Sequence, residues 1–118
     1  MVLDTQASSI NNPLFQVVSN LNKHIFRAYD IRGLIDTELT SDVFYTIGRS
    51  LAILMHQKAQ TTCLIGFDAR LTSESYASAL GAGLLDSGID VISVGQVPSP
   101  VLYFAFEHLQ VTSGVMIT

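Results

Sequence analysis

The feature that most limits the fold of this chain is an alternation running from residue 40 to its end. Short β-branched apolar runs alternate there with longer stretches of helical periodicity. The runs are Thr62 to Phe67, Ile89 to Val94 and Val111 to Thr118, the last two running past or up to a glycine. Each is too short for a helix and too apolar for a surface strand, the pattern of strands covered on both faces. Before the first run, Thr40 and Ser41 can cap a helix to about Lys58, with Asp42 near its positive end. Val43, Phe44, Ile47, Leu51, Leu54 and Met55 give it one apolar stripe. A second helix, about Ser73 to Ser87, opens at Thr72 or Ser73, aligns Tyr76, Leu80 and Leu84, and stops at Gly88. Pro98-Ser99-Pro100 opens a third, Ser99 as cap and Pro100 at the first helical position, with a body from Val101 to Leu109.

With Ile25 to Gly33 read as a further, first strand, the order is β-α-β-α-β-α-β. That order predicts an α/β fold, with a mostly parallel or mixed sheet flanked by helices and joined by right-handed crossovers. Gly81-Ala82-Gly83 follows helix rather than strand, so it is neither a P-loop nor a dinucleotide fingerprint. Small residues there predict close packing of helix on sheet.

The chain has 118 residues, enough for one core. Of these, 48% are hydrophobic and 14% charged, against about 25% charged in ordinary soluble domains. No apolar run reaches the ~18 residues of a membrane helix. So apolar a surface suits one piece of a larger protein, and it predicts self-association of the piece alone. The run Val115-Met116-Ile117-Thr118 leads to the same expectation, a strand leading to a loop beyond it.

A net charge of −4 with only six Lys and Arg argues against nucleic acid as partner. A small anion is still open to it, because a few placed arginines can hold a phosphate. A single cysteine, Cys63, cannot make an internal disulfide and reads as a small buried hydrophobe. Residues 1 to 24 have no signal-peptide pattern, which by default gives a cytoplasmic location, and they read as an N-terminal extension. Ser8, Ser9, Asn11, Asn12 and Pro13 form its loop, and Leu14, Phe15, Val17, Val18 and Leu21 suit one or two helical turns.

Two stretches hold candidate binding residues. Ile25 to Gly33 crowds Arg27, Tyr29, Asp30 and Arg32 into six positions. Arginine offers a planar fork for phosphate or carboxylate, tyrosine a hydroxyl on a rigid ring. The plainer alternative is an internal Arg–Asp pair with a turn at Gly33, and composition alone favours it. Asp68 and Arg70 follow a strand end, where ligands meet α/β sheets. A structural Asp–Arg brace is preferred there, since no glycine run for phosphate accompanies them. His56 and His108 read as helix C-terminal histidines rather than ligands or catalysts.

Phe26-Arg27-Ala28-Tyr29-Asp30-Ile31-Arg32-Gly33 resembles the N-terminal signature of bacterial phosphomannomutase/phosphoglucomutase, of the α-D-phosphohexomutase superfamily. The likeness continues in order through Ile47-Gly48-Arg49, Gly66-Phe67-Asp68-Ala69-Arg70, and Val94-Gly95-Gln96-Val97-Pro98-Ser99-Pro100-Val101-Leu102-Tyr103, to Ser113-Gly114-Val115-Met116-Ile117-Thr118. Related phosphoglucosamine mutases carry Gly-Thr-Asp-Gly in place of Arg-Ala-Tyr-Asp, which favours the mannose/glucose branch.

The resemblance implies that residues 25 to 118 are most of domain 1 of a four-domain enzyme. Such enzymes interconvert hexose 1-phosphate and 6-phosphate with a phosphoserine and Mg²⁺, through a bisphosphorylated intermediate. It also implies that the serine, in a Ser-His-Asn-Pro loop, and the Mg²⁺ ligands lie beyond Thr118. Tyr29 would border the active site and Arg32 face the phosphoserine. Arg27, Asp30, Asp68 and Arg70 would act as supports, and Pro98 to Pro100 would shape the site floor. The competing expectation is a non-catalytic α/β binding or oligomerisation module. A nucleotide-binding domain is disfavoured, because no Gly-x-Gly-x-x-Gly follows the first strand. The codons after Thr118 would separate fragment from module.

Overall fold

The computed structural model describes residues 12–118. Its elements are α1 (Ser41–Gln57), β1 (Thr62–Phe67), α2 (Ser73–Asp86), β2 (Asp90–Gln96), α3 (Ser99–Leu109) and β3 (Ser113–Ile117). The strands form one sheet in the order β2-β1-β3, both pairings parallel. Leaving β1 toward β2 and then crossing back to β3 reverses direction in the sheet. Right-handed crossovers must therefore place α2 and α3 on opposite faces. The two cores agree. Cys63, Ile65 and Ile117 pack with α1 and α2 residues, whereas Leu64 packs with Leu102 and Ala105 of α3. Alternate residues of β1 thus feed opposite layers, which is why its sequence is apolar throughout.

The α/β class and all six of these elements agree with the sequence, with corrections of detail. Thr40 does cap α1, its Oγ1 accepting from Val43 N. At α3, Pro98 is the cap position, so Ser99 and Pro100 are its first two residues and no side chain caps it. Thr72 stands at the N-cap of α2 without a capping bond, and Ser73 turns its hydroxyl elsewhere. In β2 the register passes from Ser93 to Gly95 opposite Ile65 and Gly66, leaving Val94 as an extra residue. Gly95 has a positive φ of 79°, which suits a glycine-dependent bulge.

The stripe expected on α1 was too narrow and partly misplaced. Leu54 is exposed, while Tyr45, Thr46, Gly48 and Ala52 are buried beside Val43, Phe44, Ile47 and Met55. The reason is that α1 is covered from two sides. On one, it crosses α2 at Gly48 and Gly83, where a Cβ on either glycine would run into backbone atoms of the other helix. The close approach is therefore helix on helix, and Gly81 is the residue of that cluster that faces the sheet, toward Ile65 and Val91. On the other side lies the segment before residue 22. Phe15 stacks on Tyr45 at 5.6 Å, Gln16 N donates to Asp42 Oδ1, and Val18 N donates to Thr46 Oγ1.

Those contacts replace the helical turns expected over Leu14 to Leu21. The segment is irregular, because side chains take its backbone donors: Leu14 N and Phe15 N donate to Asn12 Oδ1, and Gln16 N and Val18 N to side chains of α1. Residues 1–11 of the expected extension, including Ser8, Ser9 and Asn11, lie outside the described residues.

Candidate functional site

The strand expected over Ile25 to Gly33 does not form. Lys23–Ile25 is instead a short 3-10 turn, capped by Asn22, whose side chain accepts from His24 N. Ile25 is its fully buried anchor. The chain then reverses on itself. Arg27 N donates to Asp30 O, Phe26 and Ile31 form an antiparallel bridge, and Arg32 N donates to Ile25 O at 2.8 Å. Among the described residues no strand pairs with this stretch, and the reversal satisfies its backbone locally. The interleaved residues that suggested a half-buried strand are mostly exposed.

The reversal gathers the first set of candidates. Arg27, Ala28, Tyr29, Asp30 and Arg32 line one open depression of about 360 Å³. Tyr29 is completely exposed, its ring standing in solvent. Arg32 Nε donates to Asp30 Oδ2 at 2.8 Å, the internal pair expected as the plainer alternative. Arg27 Nε donates to the His24 carbonyl at 2.7 Å. Both guanidinium groups are therefore pinned at one edge, and their terminal amino groups make no hydrogen bond among the described residues.

The second set lies on the loop after β1. Asp68 N donates to Ile117 O and Val97 N to Phe67 O, tying together the carboxyl ends of all three strands. Asp68 Oδ1 accepts from Arg70 N and from Ser73 Oγ at 2.5 Å, and Oδ2 accepts from Arg70 Nε at 3.1 Å. This is the brace favoured from sequence. The Ser73 hydroxyl, above all, holds the Asp68 carboxyl below the usual carboxylate range, with help from the Arg70 backbone and charge.

The segment that carries the arginine loop is anchored beside the start of α2, Gly33 lying against Leu39. α2 begins directly beyond the carboxyl end of β1, and Tyr76 in its first turn donates to Leu39 O and stacks on Phe44 at 4.3 Å. Ile25 packs in the same cluster. The arginine loop is thus tied, through Leu39 and Tyr76, to the helix that begins at the carboxyl end of β1, the end where α/β sheets receive ligands.

One polar cluster escaped the sequence. Asp86 Oδ2 accepts from Tyr45 Oη at 2.6 Å and from Asn12 Nδ2, while Arg49 lies over the Tyr45 ring and donates to its hydroxyl. Burial first, and then the bond to Asp86, pushes the Tyr45 hydroxyl up. It links residues far apart in the chain and rivets α1, α2 and the N-terminal segment together. No local motif signals it. His56 Nε2 lies 2.8 Å from Ser87 O across the same helix pair, and His108 stacks on Phe104. Burial pushes the Cys63 thiol up to about 11, as befits a core hydrophobe.

A magnesium site does not fit these loops. The carboxylates of the two candidate sets, Asp30 and Asp68, are each engaged by an arginine, and no group of three metal-ligating side chains stands together among the described residues. A hard divalent cation would take several oxygen ligands, not a carboxylate already neutralised by a guanidinium.

Three layers of α/β/α, with an exposed arginine and tyrosine loop ahead of α1, define an α/β/α domain. Residues 23–118 match the family model for phosphoglucomutase/phosphomannomutase, alpha/beta/alpha domain I. The chain is 43% identical over 101 residues to a phosphoglucomutase of Neisseria meningitidis serogroup A, covering 86% of this chain and 22% of that protein. It is 43% identical over 94 residues to the phosphomannomutase/phosphoglucomutase of Pseudomonas aeruginosa, covering 80% and 20%. A solved phosphoglucomutase/phosphomannomutase family protein of Burkholderia thailandensis superposes with a TM-score of 0.71 at 40% identity, covering 73% of this chain and 19% of that one. The chain belongs to the phosphoglucomutase/phosphomannomutase family. It spans about a fifth of the length of these relatives.

Proposed function

We propose that this chain supplies the N-terminal domain of a cytoplasmic phosphohexomutase that interconverts the 1-phosphate and 6-phosphate of mannose or glucose. The reaction would run through a phosphoserine and a bisphosphorylated intermediate, with Mg²⁺ as cofactor. Under this reading the serine and the metal ligands come from outside residues 1–118. The domain's own contribution is electrostatic. The observation that carries the reading is the depression ahead of α1, where Arg32 is oriented by Asp30 and Tyr29 stands free to solvent.

Phosphoryl transfer asks a protein mainly for positioning and for neutralisation of developing charge. Asp30 holds the Nε edge of Arg32, so the opposite edge keeps its fork for the oxygens of a phosphoserine. Tyr29 would border the sugar-phosphate. Asp68, Arg70 and Ser73 would fix the floor between β1 and α2.

The test is a chimera in which residues 23–118 replace the matching segment of the Neisseria relative, in a coupled assay for glucose 6-phosphate. Turnover is expected from the chimera with Mg²⁺ and none from the 118-residue chain alone. A folded chimera without turnover overturns the assignment. Turnover by the chain alone overturns the division of labour.

A further inference from the structure

The charge around the depression is unevenly balanced. Of the six Lys and Arg in the chain, Lys23, Arg27 and Arg32 fall within residues 23–32, where Asp30 is the one acid. The segment thus carries a surplus of two positive charges in a chain of net charge −4. Asp30 is committed to Arg32, as Asp68 is to Arg70. Of the other acids near by in sequence, Asp36 lies beside Tyr76, and Glu38 accepts from Asn22 Nδ2 and from Leu34 N.

Arg27 differs from Arg32 and Arg70 in having no carboxylate partner among the described residues. Its Nε is held by a neutral carbonyl, that of His24. The guanidinium is therefore oriented without being neutralised. It is exposed, it lines the depression, and its two terminal amino groups make no hydrogen bond among the described residues. A side chain fixed at Nε loses less rotamer freedom when its outer edge takes a ligand. The fork it presents suits two oxygens of a tetrahedral anion.

We propose that Arg27 is a direct ligand contact, the second guanidinium of the depression, gripping a phosphate-monoester dianion together with Arg32. The sugar-phosphate identity rests on the functional reading above; the geometry of Arg27 does not. In this arrangement Arg32 contributes direction with little net charge, while Arg27 contributes the charge that draws the anion in. The attraction lies at the surface, so it weakens with ionic strength.

The experiment is an NMR titration of the ¹⁵N-labelled 118-residue protein, at low and at physiological salt. The probes are inorganic phosphate and glucose 1-phosphate, with glucose as the neutral control. Saturable shifts confined to amides around Phe26 to Gly33 are expected with the two phosphates and absent with glucose. Arg27→Gln should raise both dissociation constants roughly tenfold and flatten their salt dependence. Arg27→Lys should recover the salt dependence but only part of the affinity, since the charge returns without the fork. Among the described residues the Arg27 side chain bonds to the His24 carbonyl alone, so unchanged shifts elsewhere would show that each variant is folded. Arg27→Gln binding within about twofold of the unmodified protein overturns the proposal. So does an absence of saturable shifts in the loop of the unmodified protein. An active chimera with Arg27-independent phosphate binding would overturn this inference alone. An inactive chimera with Arg27-dependent binding would uphold it and overturn the mutase reading.

Discussion

Asp68 shows how much of a site one residue can organise. Its two oxygens take the Arg70 backbone and guanidinium and the Ser73 hydroxyl, and these bonds hold its carboxyl below 3.8. A carboxyl lowered on folding stabilises the fold above its unfolded value, and the contribution disappears as pH falls through the folded one. In acid titrations of melting temperature, Asp68→Asn should therefore flatten the loss below about pH 4. Ser73→Ala should move the Asp68 carboxyl, followed by carbon NMR, back up toward 3.8. An unmoved titration would deny Ser73 its part. Arg32 is the residue on which the proposed function turns. In the active chimera Arg32→Ala should lower turnover ~10- to 150-fold, from loss of about 1.5–3 kcal/mol of charge-assisted bonding, with Arg32→Lys only a partial rescue. Because the exposed Arg32 side chain bonds to Asp30 alone among the described residues, the melting temperature should stay nearly unchanged. Near-normal kinetics for Arg32→Ala would reduce it to a structural partner of Asp30. The pairs Asp30–Arg32 and Asp68–Arg70 were legible in the sequence because each spans two residues. The Tyr45–Asp86–Asn12 cluster was not, because its members meet only after α1 and α2 pack.

At the scale of elements, legibility followed the locality of the forces. Thr62 to Phe67 declares itself as β1 to the residue, since an apolar run between helices has one way to be buried from both sides. Thr40 declares α1 because its cap is closed three residues later. Ile25 to Gly33 has a strand's alternation without a strand's partner, and the 3-10 turn with a two-residue bridge won. Residues 14–21 look helical but spend donors on the side chains of Asn12, Asp42 and Thr46, which periodicity does not register. The glycines of α2 make this quantitative. Gly83→Ala would drive a methyl into the Tyr45 carbonyl and force the helices apart, so a loss of about 1–3 kcal/mol is expected. Gly81→Ala meets Ile65 and Val91 only at ordinary contact distances of 3.5 and 3.9 Å, and should gain up to ~1 kcal/mol of helix propensity. Urea unfolding with unchanged slopes would read both. The same sign for the pair would show that the α1–α2 crossing is not held at Gly83.

The whole molecule leaves its two sheet edges differently defended. The outer edge of β2 begins with the charged Asp90 and is distorted at Gly95 by the bulge, two devices that discourage strand addition. β3, Ser-Gly-Val-Met-Ile, has no charge, no proline and no bulge, and its outer edge is unpaired among the described residues. Beside it α3 leaves Tyr103 and Phe104 about two-thirds exposed and Val101 partly so, on a helix with Glu107 as its single acid. An edge template next to an aromatic face is the arrangement by which domains pair with a second copy. The 118-residue chain alone is therefore expected to form dimers or larger species that dissociate on dilution. Light scattering behind a sizing column, run across a wide concentration range, measures this directly. Phe104→Lys should shift the balance toward monomer, because the residue is on the surface and the charge costs the fold little while opposing close approach. A monomer at every concentration, with one cooperative unfolding transition, would mean that α3 and β3 need no cover. A dimer indifferent to Phe104→Lys would move the contact away from the α3 face.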